Sequence, residues 1–235
     1  MNQINEVDIA GVIEAIEEAY THHNQKTSKD ETFYTITLAV PRFSENYDWV
    51  PIVTTEKLLR NAKIKVGDKV GVLGSARSRN SGNEQVHHVD VYVYADDFVI
   101  LSDKEYDDIS NKNLVRIEGV VCKQPNMRTV ASGRVITDLL IANNRQCHRY
   151  FGNKSKIIRK SSYLPCITWS ATAKAASHLR VGQTISIEGR FQSRKFYRHG
   201  DVLDEHTAYE ISVLDYELSD NKEEIDSTKE NAEVI

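Results

Sequence analysis

Four blocks of sequence occur twice, in the same order, and this repeat limits the chain to folds built from two copies of one unit. VDIAGVI (Val7–Ile13) is echoed by VRIEGVV (Val115–Val121), with a Gly at the same place. FYTITLAV (Phe33–Val40) is echoed by VITDLLIA (Val135–Ala142). WVPIVTT (Trp49–Thr55) is echoed by YLPCITW (Tyr163–Trp169), with the Pro in register. VGDKVGVLGSARSRN (Val66–Asn80) is echoed by VGQTISIEGRFQSRK (Val181–Lys195). The blocks are short and β-branched, and several alternate in character; Ile185 and Ile187 are separated by Ser186, as in a half-buried strand.

Each copy reads as strand, strand, strand, short helix, strand, hairpin, strand. The helix is Glu56–Ala62 in the first copy and the Ala-rich Ala171–Leu179 in the second. The fifth strand is Val86–Tyr94 in one and Ala208–Leu214 in the other. A small Greek-key barrel with one helix after its third strand is the order of the five-stranded OB fold. The expected class is therefore all-β, with two tandem five-stranded OB barrels, each with one short helix. The first barrel is assigned to 1–103, a polar linker to 104–112 and the second barrel to 113–218. Residues 219–235 carry no aromatic and no glycine, and are expected to form a disordered acidic tail.

The net charge of −4 conceals a segregation. Residues 1–110 hold 11 Lys/Arg against 19 Asp/Glu, a net of −8; residues 111–218 hold 17 against 9, a net of +8; residues 219–235 hold 2 against 6, a net of −4. The middle segment is thus a basic module between two acidic ones, which bears on partners rather than on fold.

Within the basic copy, cations and rings concentrate in two places. In Gly182–Arg198, Arg190, Arg194, Lys195 and Arg198 interleave with Phe191, Phe196 and Tyr197. In Asn143–Ser162, read as a long connection, Arg145, Arg149, Lys154, Lys156, Arg159 and Lys160 surround Tyr150 and Phe151 without one acidic residue. Cations suit phosphates and rings suit bases, so both stretches fit a nucleic acid strand. A hairpin with core rings and solvated cations would use the same residue types. Tyr163 and Trp169 fall on one face of a regular third strand and are candidate stacking platforms. The acidic copy keeps Arg42, Phe43, Trp49, Arg77 and Arg79, a weaker second site or a subunit interface.

The second copy resembles the bacterial single-stranded DNA-binding protein family. The resemblance rests on NLVRIEGVV, LLIAN, YLPCITW followed by ATAKAA, and HLRVGQTISIEGRFQSRKFY; the first copy resembles it more weakly, in LAV and VGDKVGVLGSARSR. It implies that Tyr163 and Phe196 stand where the family has stacking tryptophans, and Trp169 where it has a stacking phenylalanine. Arg194 and Lys195 match its basic hairpin. It further implies coating of single-stranded DNA in replication, recombination or repair, a homo-oligomer with a dimer favoured, and a bacterial cytoplasmic, nucleoid-associated location. Replication or repair proteins would dock on the acidic tail. That tail ends Ala232-Glu233-Val234-Ile235 and lacks the family's Pro-Phe tip.

No cofactor or metal is expected. Cys122, Cys147 and Cys166 are too few and too scattered for a disulfide framework, and Cys147-His148 lacks a CxxC partner for zinc. No apolar run of about 18 residues suggests a membrane span, and the N-terminus does not read as a signal peptide. No cluster of carboxylates with a poised Arg or His suggests a nuclease, so the chain is expected not to be an enzyme. The competing reading is a replication-restart or recombination accessory protein, in which an OB barrel serves mainly to bind protein.

Overall fold

The computed structural model describes residues 3–24, 28–44, 46–83, 86–109, 111–130, 132–151, 154–197 and 205–219. Two OB barrels follow one another along the chain. The first contains β1 (Asn5–Asn24), β2 (Lys29–Pro41), β3 (Tyr47–Thr55), helix α1 (Glu56–Ala62), β4 (Lys69–Asn83) and β5 (Val86–Ile100). A second short helix, α2 (Asp103–Ile109), occupies the stretch read as a polar linker. The second barrel contains β6 (Asn113–Val121), β7 (Asn126–Thr129), β8 (Val135–Phe151), β9 (Lys154–Trp169), helix α3 (Ser170–Ala176), β10 (Thr184–Tyr197) and β11 (Glu205–Leu218). The tail 220–235 lies outside the described residues.

The repeat seen in sequence is a repeat of hydrogen bonding. In the first barrel β1 pairs with β2 and β4, β2 with β3, β4 with β5, and a short parallel contact between Ile52–Val53 and Val93–Tyr94 closes the ring. In the second, β6 pairs with β8 and β10, β8 with β9, β10 with β11, and Cys166–Ile167 closes on Ile211–Ser212 in the same parallel sense. The ladder slips at Leu73/Gly74 in one copy and at Glu188/Gly189 in the other. A Cβ on Gly189 would stand 2.6 Å from the Ser212 carbonyl oxygen, so this bulge admits only glycine without displacement of the facing strand.

Alternation fills the barrels. Ile36, Leu38, Val72, Val91 and Val93 are buried in the first; Ile117, Ile141, Leu164, Ile185 and Ile211 are buried in the second. The alternation through Ile185 and Ile187 continues to Phe191, which is fully buried and tilted against Tyr209. Phe191 is therefore core, unlike Phe196, which is half-buried. Helix α1 is capped by Thr55, whose Oγ1 accepts the Leu58 amide at 3.2 Å, a bond that stabilises a helix by about 1 kcal/mol. Trp169 holds the equivalent cap position of α3 without a side-chain cap bond.

The two barrels join through β1 and β6, which pair antiparallel with Val7 opposite Val115. Those two valines are equivalent in the repeat, and Asn5↔Ile117 and Ile9↔Asn113 flank them, so the contact has local two-fold symmetry. Side chains repeat it. Asn5 brackets the backbone of Ala76, donating to its carbonyl and accepting its amide at 2.8 Å each. Asn113 brackets Phe191 in the same way, again at 2.8 Å. Ser78 Oγ accepts the Tyr163 amide at 2.7 Å, and Ser193 Oγ accepts the Trp49 amide at 2.9 Å. One eleven-stranded sheet consequently runs through both barrels.

Candidate nucleic-acid interface

The stretch Asn143–Ser162, read from sequence as a connecting loop, is a two-stranded arm. β8 and β9 pair without a break from Asn143↔Ser162 to Phe151↔Lys154. Most side chains of the arm are exposed, so it needs no apolar alternation and gives none. Ladder hydrogen bonds rather than burial hold it. The register sets Arg145 opposite Lys160 and Arg149 opposite Lys156. Like charges directly opposed across a ladder are destabilising, and the arm contains no carboxylate to relieve them. Arg149, Lys154, Lys156, Arg159 and Lys160 are exposed. Arg145 is half-buried; Nη1 lies 3.4 Å from Cys147 Sγ, and the buried Nε has no partner. The side chains of Tyr150 and Phe151 lie outside the described residues.

On the third strand, Tyr163 is 43% exposed and Trp169 is half-buried, its Nε1 donating to Ser212 Oγ at 3.2 Å. Ile167 between them is buried where β9 meets β11. The two rings therefore stand on the same side of the strand, with the buried Ile167 between them.

On β10, Arg190 is half-buried with an unpartnered Nε. Arg194 lies 3.7 Å from Glu210 and its guanidinium sits over the Phe196 ring at 5.8 Å. Phe196 is half-buried and stacked on His206 at 5.5 Å, and Lys195 is exposed. Glu210 accepts from Gln192 Nε2 at 3.0 Å. Burial raises the Glu210 pKa above the ordinary carboxylate value, while Arg194 pulls it back. The Tyr197 side chain and all of Arg198 lie outside the described residues.

The first barrel contributes more directly than its charge suggested. Tyr47 and Trp49 are 50% and 40% exposed, with ring centroids 6.2 Å apart. Together with Arg42 and Asn46 they form one wall of a groove of about 450 Å³; Ser193, Arg194, Lys195 and Thr207 of the second barrel form the other. Symmetry of the strand contact produces this meeting, and no local sequence signal announces it. Arg42 is committed at its base: it binds the buried Asp48 carboxylate and donates to the Ser193 carbonyl at 2.6 Å. Phe43, in the β2–β3 loop, is 83% exposed. Arg79 pairs with Asp90 at 3.4 Å, and Arg77 lies flat on the Tyr94 ring at 3.5 Å.

A second cleft, of about 370 Å³, has the opposite character. Glu6, Glu118, Glu188, Asp215 and Glu217 line it with Arg116 as the one cation, so it repels phosphate. Among the described residues no group of three or more His, Cys, Asp or Glu could hold a metal ion, and no helix is long and apolar enough to cross a membrane. Cys122, Cys147 and Cys166 carry free thiols.

Residues 112–219 match the model of the "Single-strand binding protein family". A "Single-stranded DNA-binding protein" of Oceanobacillus iheyensis is 27% identical over 103 residues, which are 43% of this chain and 58% of that protein. "Single-stranded DNA-binding protein B" of Bacillus subtilis is 29% identical over 85 residues, 36% of this chain and 71% of that protein. The chain thus spans little more than half the length of the first of these relatives. Among solved structures, the wild-type single-stranded DNA binding protein from Thermus aquaticus superposes with a TM-score of 0.68 at 17% identity, covering 93% of this chain and 94% of that one. At that identity the likeness is one of fold, and it extends over both barrels.

Proposed function

We propose that the whole chain coats single-stranded DNA with little sequence preference, in replication, recombination or repair, a reading supported by the match of residues 112–219 to the single-strand binding protein family. The observation that carries this reading is the arm. Arg145 opposite Lys160 and Arg149 opposite Lys156 form a ladder of like charges, and a polyanion laid along it converts that repulsion into attraction. The phosphate backbone of a single strand is such a polyanion, and neutralising it releases counterions. The groove beside the arm's barrel supplies the other half of the chemistry. Trp49 and Tyr47 offer ring faces to bases, and Arg194 and Lys195 stand across from them.

The proposed contact set is Arg145, Arg149, Lys154, Lys156, Arg159, Lys160, Tyr163, Trp169, Arg190, Arg194, Lys195 and Phe196, with Tyr47 and Trp49 added from the first barrel. Tyr150, Phe151, Tyr197 and Arg198 belong to it by position in the sequence. Arg42 is assigned to the seam between the barrels rather than to DNA, since its guanidinium is occupied by Asp48 and Ser193. The domains are the first barrel at 1–103, a linker at 104–112, the second barrel at 113–218 and the acidic tail at 219–235. The role is binding rather than catalysis, in the cytoplasm alongside the nucleoid, as a homodimer whose acidic tail meets replication or repair proteins.

The test is a fluorescence titration with oligo-dT at two salt concentrations. Trp49 and Trp169 are the only tryptophans and both lie in the proposed contact set. Strong quenching is expected, with log K falling by about 0.7 per phosphate neutralised for each tenfold rise in salt. Trp49→Phe and Trp169→Phe divide the signal between the barrels. Absence of both quenching and binding at low salt would overturn the coating role.

A further inference from the structure

We propose that, without DNA, the basic arm of one copy docks into the acidic cleft of a second copy, so that the chain pairs by reciprocal exchange of arms and single-stranded DNA releases the pair. The proposal rests on the reading that the chain is a homodimer whose arm binds DNA, and it names the surface that holds the dimer.

The cleft is a row of side chains that crosses four neighbouring strands. Glu6 on β1 stands opposite Arg116 on β6, Arg116 opposite Glu188 on β10, and Glu188 opposite Asp215 on β11. Beside that row, Glu118 stands opposite Ser186, and Ser186 opposite Glu217. Arg116 is the only cation among the described residues that line the cleft, and Glu188 already engages it at 3.1 Å. Ile4, 50% exposed, adds an apolar rim. Glu188 and Asp215 are like charges directly opposed, which destabilises the sheet while nothing covers it. The same surface of a second copy would bring five more carboxylates, so two clefts set face to face repel. The occupant that fits is cationic with an apolar centre.

The arm has that pattern. Alternate residues of a strand share a face, and directly opposed residues share it too. Arg149 and Lys156 therefore close one end of a face and Arg145 and Lys160 the other, with Cys147 and the half-exposed Ile158 between them. Lys156 and Lys160 are four residues apart, about 14 Å at the rise of a strand. Glu6 and Asp215 are three strand spacings apart, also about 14 Å. An arm laid across the strands sets a cation against each end of the carboxylate row and Ile158 against the apolar rim. Each surface carries a repulsion that the other relieves. The arm does not fill the cleft of its own molecule, since Lys154, Lys156, Arg159 and Lys160 are exposed. Its root nonetheless stands beside that cleft: Asn143 Nδ2 donates to the Ile4 carbonyl at 2.9 Å, and the Gln3 amide donates to the Asn144 carbonyl at 3.3 Å. With root and cleft side by side, one two-fold axis serves both contacts, and the assembly closes as a dimer instead of growing into a filament. Phosphates compete for the same cations, so a strand that occupies the arm opens the pair.

The experiment uses the full chain and follows its mass by sedimentation equilibrium at low and high salt. Two double variants are compared: Asp215→Lys with Glu217→Lys in the cleft, and Lys156→Glu with Lys160→Glu in the arm. All four positions are exposed. The parent is expected to be a dimer at low salt that weakens at high salt, as screened charges do. Each variant alone is expected to dimerise at least about tenfold more weakly, because attraction becomes repulsion at two positions in each contact. An equimolar mixture of the two should recover the dimer, since a reversed arm then meets a reversed cleft. Oligo-dT of about eight nucleotides should convert the parent dimer to monomeric complexes. The cleft variant lies outside the DNA contact set and should bind oligo-dT at least as well as the parent, which also verifies its fold. Parent-like dimers in both variants, no recovery in the mixture, or a cleft variant that dimerises more tightly would each overturn the arm exchange and leave a homodimer held some other way. A parent that stays monomeric at low salt would overturn the exchange and the homodimer together, with the coating role intact.

Discussion

The carboxylate of Asp48, buried in the third strand of the first barrel, accepts the backbone N–H of Ser193 in the second barrel at 2.6 Å. The Ser193 hydroxyl reaches the same oxygen at 3.2 Å, and Arg42 grips the carboxylate from its own barrel. The repeat puts Ser162 at the position equivalent to Asp48, so this lock exists on one side of the seam only. Removing one member of a buried hydrogen-bonded set leaves the others desolvated and unpaired. Asp48→Ala is expected to destabilise the protein by about 2–3 kcal/mol in urea denaturation. It is also expected to weaken DNA binding, because the floor of the Trp49–Lys195 groove loosens. Parent-like stability would show that the lock contributes nothing.

Phe196 lies on the outer part of β10 between His206 and the Arg194 guanidinium, clear of the core. Phe196→Ala is expected to lose about 1–3 kcal/mol of oligo-dT affinity, the contribution of one stacked base. Thermal unfolding should move little. Trp169→Ala should show a similar loss with some loss of stability, since the indole also bonds Ser212. Full affinity in both variants would remove them from the contact set.

Glu210 gives the protein a pH signature. Burial raises its folded pKa above the ordinary 4.5. A carboxyl raised in this way contributes stability that is complete below the unfolded value and lost as pH climbs through the folded one. Glu210→Gln is neutral throughout. Its stability relative to the parent is therefore expected to improve from below pH 4.5 toward neutrality, measured by denaturation across that range. The variant also releases Arg194 from its carboxylate, and tighter DNA binding should accompany it. A stability difference independent of pH would refute the assignment.

The tail carries six acidic residues against two basic ones between 219 and 235. Such a segment competes with phosphate for the arm and the hairpin. Truncation after Ser219, the last described residue, is expected to leave DNA affinity equal or higher, with the larger gain at low salt. A marked loss on truncation would mean that the tail takes part in binding.

The fold was legible because each barrel repeats its hydrophobic phase, its bulge glycine and its single helix, and repetition turns weak local signals into one pattern. The bounds of α1, Glu56–Ala62, were readable between the third strand and the turn Val66-Gly67-Asp68. The arm was not legible as strands, because Lys154–Ser161 lies outside the core and shows no alternation of apolar side chains. Phe191 could have been placed in the core by extending the phase of Ile185 and Ile187. The groove was beyond reach: Trp49 and Lys195 stand far apart in sequence, and only pairing across Val7 and Val115 brings them together.

The pairing of β1 with β6 has a consequence for how the molecule responds to dilution. Two separate barrels joined by that strand contact alone would part as their concentration fell. Here a short connection holds the partners at an effective concentration in the millimolar range, whatever the amount of protein present. The groove that spans the seam is consequently complete in every molecule, down to a single copy on a single strand.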